Sequence, residues 1–106
     1  MTDWIDAGRA GSLAPGEHLL VEIEGDEVAL FHIDGEYFAI RDVCSHDGTE
    51  IASGHLEGCE IICPRHGARF CLKTGKVLSP PAYEDIATYP VRIHEGRIEI
   101  GTEPSH

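Results

Sequence analysis

At 106 residues, with 42% hydrophobic and 25% charged side chains, the chain suffices for one domain with a modest core and is too apolar to stay disordered. Its formal net charge of −11 argues against a nucleic-acid partner, because neutralising phosphates requires cations. No apolar run approaches membrane-spanning length and the N-terminus carries no basic-then-apolar leader, so the expectation is a soluble, cytoplasmic protein with no membrane partner.

The predicted elements are short strands. His18–Glu24 alternates, with Leu19, Val21 and Ile23 on one face. Gly25-Asp26 predicts a hairpin turn into a second strand, Val28–Ile33. Asp34-Gly35 predicts another turn, into Tyr37–Arg41. From about Val43 to Pro81 the chain is richer in glycine and proline, with short strands expected at Ile61-Ile62 and Ala68–Leu72. Val91 and Ile93 alternate, and Glu95-Gly96 turns into Ile98 and Ile100; Thr102–His106 reads as a frayed tail. No stretch holds a helical period and no internal repeat stands out. The fold class is all-β: one domain over residues 1–106, with an inserted subdomain at about 43–81 in an antiparallel barrel or sandwich base made by both chain ends.

The chemistry sits in that insertion. Cys44-Ser45-His46 and Cys63-Pro64-Arg65-His66 each pair one thiolate with one imidazole, and sixteen residues separate His46 from Cys63. Gly48 follows the first pair closely and Gly67 the second directly, letting the backbone bend tightly around a ligand. Two soft sulfurs and two borderline nitrogens suit a metal centre. Structural zinc is the main rival, although zinc fingers usually pair cysteine with cysteine and histidine with histidine. A cysteine–histidine hydrolase leaves the duplication unexplained. His55, inside the spacer, is the other histidine worth checking; His18, His32, His94 and His106 have no matching pair.

Cys-x-His, this spacer, then Cys-x-x-His-Gly resembles Rieske [2Fe–2S] proteins. The run from Cys63 to Val77, followed by Ser79-Pro80-Pro81, resembles the second cluster loop and proline loop of Rieske ferredoxins serving bacterial ring-hydroxylating oxygenases. The resemblance covers roughly Leu19 to Ile100. It implies the Rieske fold and one [2Fe–2S] cluster per chain, with Cys44 and Cys63 on one iron and His46 and His66 on the other. It also implies a one-electron carrier rather than an enzyme. The implied partners are a NAD(P)H-dependent flavoprotein reductase and a terminal oxygenase. The alternative is a Rieske-like small subunit of an assimilatory nitrite reductase. A zinc-stabilised interaction module, which would be colourless, is the option from another class.

Thiolate and imidazole ligands together leave an oxidised cluster formally neutral, which raises its potential over an all-cysteine site. Within the family, high-potential members supply a serine and a tyrosine hydroxyl where this chain has Ala68 and Phe70. They also join the two loops by a disulfide, at positions held here by Thr49 and Arg65. These departures imply a low-potential carrier. Cys59 and Cys71 remain, expected to be reduced: Cys71 as a buried small hydrophobe, Cys59 in a turn and the more reactive.

Charge is uneven. Residues 1–42 hold ten acids against Arg9 and Arg41, whereas residues 43–83 hold four of each sign. The acidity serves plain solubility, or it orients association, with the acidic body repelling a partner and the near-neutral cluster segment accepting it. Arg65, Arg69, Lys73 and Lys76 are the cations expected to meet an acidic rim, unless they balance nearby acids such as Glu57 and Glu60.

Overall fold

The computed structural model describes residues 3–44, 48–65 and 67–104. Among them, eleven strands form three antiparallel sheets and no helix is present. Strands β1 (Trp4–Arg9), β11 (Arg97–Gly101) and β10 (Val91–His94) form the first sheet, in that order. The second runs β2 (His18–Ile23), β3 (Asp26–Ile33), β4 (Glu36–Arg41), β9 (Thr88–Tyr89). The third runs β5 (His55–Glu57), β6 (Glu60–Ile62), β7 (Arg69–Cys71), β8 (Val77–Ser79).

Hairpin chemistry sets the registers. Glu24-Gly25, Asp34-Gly35 and Glu95-Gly96 all have positive φ at both residues, as a two-residue type I′ turn requires. The first turn falls one residue earlier than the predicted Gly25-Asp26. Glycine takes the second position and Asp26 already pairs with Ile23.

Strand β3 explains the layering. Val28 and Leu30 pack with Ile23, Ala39, Tyr89, Ile98 and Ile100 in a core shared with the first sheet. Ala29, Phe31 and Ile33 face the other way, into a core with Ile51, Ile61, Phe70 and Leu72. A strand covered on both faces reads as a continuous apolar run, Val28-Ala29-Leu30-Phe31, rather than as an alternation. All four residues are fully buried, so the central sheet supports both outer layers.

β1, β5, β8 and β9 lie outside the predicted strands because they are short or polar. Trp4 and Ile5 are half-buried, and β1 carries a bulge between Asp6 and Gly8 that breaks its alternation. Thr102 is not frayed: its N–H donates to Asp3 O at 2.9 Å, extending the pairing of β1 with β11.

Candidate metal centre

Cys44 and Cys63 sit in matching backbone turns. The Cys44 N–H donates to Thr49 O at 2.7 Å, and the Gly48 N–H returns to Cys44 O at 2.7 Å. In the second turn, Cys63 N–H donates to Ala68 O at 2.7 Å and Gly67 N–H to Cys63 O at 3.0 Å. Gly48 and Gly67 both have φ of 76°, a region that costs other residues strain. Both cysteines are buried, 0% and 1% exposed, unbridged, and in one apolar cluster with Ile51, Ala68 and Phe70. Two buried thiols on duplicated turns, coming from different loops into one apolar environment, fit a shared iron–sulfur group. His46 and His66 lie outside the described residues, as do Ser45 and Asp47. Among the described residues no group of three or more histidine, cysteine, aspartate or glutamate side chains is placed to hold a metal ion.

A third turn repeats the design. Cys71 N–H donates to Lys76 O at 2.9 Å and Gly75 N–H to Cys71 O at 2.7 Å. The shared sequence signal is Cys-x-x-x-Gly at 44–48, 63–67 and 71–75, a local repeat that a search for long periods passes over. The third turn carries Lys73 and Thr74 where the others carry histidine. Cys71 is half-buried, not buried as expected. It pairs with Glu60, so it lies on the opposite face from Phe70 and Leu72. Burial alone would raise the Cys71 pKa. Hydrogen bonds from the Thr74 hydroxyl and the Thr74 and Lys73 amides outweigh it and hold the thiol below its ordinary value. Cys59 does sit in a turn, but its side chain packs against the apolar cluster. With Cys59 O accepting the Leu72 N–H at 2.8 Å, the two thiols face opposite sides of the sheet and stay unbridged. Both thiols are half-buried, so exposure does not set Cys59 apart from Cys71.

Asp42 fixes the first loop. Its side chain is 7% exposed, and Oδ1 accepts the Ile51 and Ala52 amides, both at 2.9 Å. Among the described residues no amide or hydroxyl donor reaches the buried Oδ2. Glu27 lies beside it; hydrogen bonding to Asp42, then burial, then repulsion from Asp42, Glu50 and Glu22 raise the Glu27 pKa. A raised carboxyl favours folding while protonated. That contribution is present below the ordinary value of 4.5 and is lost as pH rises through the folded-state pKa. Glu27→Gln removes the repulsion and keeps a donor for Asp42. It is expected to raise Tm at pH 7 in a calorimetric scan, with the two proteins converging below pH 4.5.

The cations divide. Arg69 reaches Glu57 at 3.4 Å and Glu60 at 3.3 Å, balancing the two acids named from sequence. Arg65 pairs with Glu50 at 3.8 Å. Lys73 and Lys76 form no ion pair among the described residues. His55 lies on β5 and, with His18, Phe31 and Ser53, borders a cleft of about 320 Å³ that neither Cys44 nor Cys63 lines. His32 is structural: Nδ1 lies 2.6 Å from Leu13 O and its ring stacks on Tyr37. Among the described residues no helix is long and apolar enough to cross a membrane.

Comparison with known proteins bears on all of this. The sequence profile of the Rieske [2Fe-2S] domain matches residues 3–90. The ferredoxin component of the naphthalene 1,2-dioxygenase/salicylate 5-hydroxylase systems of Ralstonia sp is 40% identical over 101 residues, 95% of this chain and 97% of its own. A chain from the complex of reduced oxygenase and oxidized ferredoxin in carbazole 1,9a-dioxygenase superposes with a TM-score of 0.91 at 27% identity, covering 97% of this chain and 96% of that one. A Mycobacterium tuberculosis chain described as an NADH-dependent nitrite reductase small subunit has a TM-score of 0.85 at 28% identity, over 95% of this chain and 96% of that one.

Proposed function

The chain belongs to the Rieske [2Fe–2S] family, and we propose that Cys44 and Cys63 hold one iron of its cluster and His46 and His66 the other. Family membership brings one [2Fe–2S] cluster, and the ferredoxin-component relatives bring the role of an electron carrier rather than a catalytic enzyme. The cluster supplies one-electron chemistry; the chain's residues hold it, shield it and set its potential.

The observation that carries the ligand assignment is the pair of matching turns that bury Cys44 and Cys63 in one apolar cluster. Residues of about 43–81 act as the cluster-binding part of a single Rieske domain. The protein passes electrons from a NAD(P)H-dependent flavoprotein reductase to the terminal oxygenase of a dioxygenase system, in the cytoplasm. End-to-end similarity to ferredoxin components supports the oxygenase partner. Lys73 and Lys76, without intramolecular ion pairs among the described residues, are the cations left for an acidic partner surface. Ala68 and Phe70, both fully buried beside Cys63, support a low potential because neither donates a hydrogen bond to sulfur.

The nitrite reductase likeness supports a second reading, at lower sequence identity. Stopped-flow mixing separates the two. Dithionite-reduced protein is expected to be reoxidised within milliseconds to seconds by an oxidised naphthalene-dioxygenase-type terminal oxygenase, and not by a sirohaem nitrite reductase. The opposite preference would replace the oxygenase reading with the second.

A further inference from the structure

The two cysteine turns are joined by a side chain. Arg65 stands in the second turn, between Cys63 and His66. Its Nη2 donates to the main-chain carbonyl of Glu50, and its Nη1 lies 3.8 Å from Glu50 Oε1. Glu50 directly follows Thr49, whose carbonyl closes the first turn by accepting the Cys44 N–H. One guanidinium therefore reaches from one loop to the base of the other.

The acceptor is fixed in place. The Glu50 carboxylate accepts the Ser53 hydroxyl at 2.7 Å and the Ser53 N–H at 3.1 Å. The next two residues, Ile51 and Ala52, are held by Asp42. The Ser53 bonds first, then the charges of Arg65 and His18, keep Glu50 ionised by lowering its pKa. Every other arginine ion pair among the described residues joins strands of one sheet: Arg41 to Asp26, Arg69 to Glu57 and Glu60, Arg92 to Glu99, Arg97 to Asp6. Arg65 alone among these pairs ties two loops that no strand ladder connects.

We propose that Arg65 is a non-covalent staple that closes the two loops over the cofactor and slows its loss. This rests on the assignment of Cys44, His46, Cys63 and His66 as ligands. Arg65 acts here as a positioning residue. An exposed ion pair by itself contributes little. The bond from a charged donor to a main-chain carbonyl is stronger, and it needs a donor at the end of a long side chain rather than the stem alone.

Decay of visible absorption under excess EDTA tests this on the intact loaded protein. Arg65→Met keeps the length and apolar stem of the side chain but removes the donors. It is expected to lose its cluster roughly tenfold faster than wild type. Arg65→Lys, which keeps a charged donor, should recover part of the difference. Arg69→Met, which deletes a guanidinium of similar exposure within one sheet, should stay within about twofold of wild type. A wild-type rate for Arg65→Met would overturn the staple. Arg65→Lys decaying no more slowly than Arg65→Met would reduce Arg65 to packing and overturn it too. A wild-type protein that carries no chromophore would instead sink the ligand assignment beneath it.

Discussion

Cys44→Ser and Cys63→Ser are each expected to yield colourless protein with no acid-labile sulfide, whereas Cys59→Ser and Cys71→Ser should keep the full complement of iron and sulfide. Serine preserves size, so failure of the first pair reports lost ligation rather than a lost core contact. The second pair is a demanding control. Cys71 shares the backbone turn of Cys44 and Cys63 and has a lowered pKa, so turn geometry and thiolate character alone would nominate it. It is set apart by its place on the other face of β7 and by the absence of a histidine in its turn. Cys59 packs against the same apolar cluster as Cys44 and Cys63, which makes it the closer competitor. Loss of the cluster in Cys59→Ser would mean that the ligands were wrongly assigned.

The reduction potential should respond to two buried positions with no change of ligand. Ala68 and Phe70 are both fully buried beside Cys63, and neither offers a donor. A hydroxyl hydrogen-bonded to a sulfur that gains negative charge favours the reduced form by about 1–3 kcal/mol. For a one-electron couple, with ~59 mV per tenfold, that is roughly 50–130 mV upward for each of Ala68→Ser and Phe70→Tyr, and more for both. Wild type should lie near the low end of the Rieske range, at roughly −150 mV. With His46 and His66 as the proposed ligands, its potential should fall as pH rises once their imidazoles begin to ionise in the oxidised form, because reduction then takes up a proton. Protein-film voltammetry reads both effects. A wild-type potential well above zero would mean that another donor replaces the two hydroxyls.

Much of the fold was legible because its hairpins carry local chemistry: Asp34-Gly35 and Glu95-Gly96 announce their turns, and Leu19, Val21 and Ile23 alternate as a half-buried strand should. β1 was not, because its bulge at Asp6–Gly8 breaks the period on which a strand reading depends. β5 and β8 have three residues each and β9 two, too few for any period, and tertiary pairing alone defines them. At the site, the two cysteine–histidine pairs stood out from spacing. The Arg65–Glu50 contact did not, because Glu50 follows the first pair and Arg65 sits in the second, and only folding brings them together. Cys71 misled for a related reason. Its apolar sequence neighbours suggest burial, whereas strand alternation puts Phe70 and Leu72 inward and leaves Cys71 on the opposite face.

The most direct test of the central claim is metal and sulfide analysis of the purified protein alongside EPR of its dithionite-reduced form. The account predicts about two irons and two acid-labile sulfides per chain, a red-brown colour and a rhombic signal from one reduced [2Fe–2S] centre. One tightly held zinc per chain with no sulfide and no signal would contradict it.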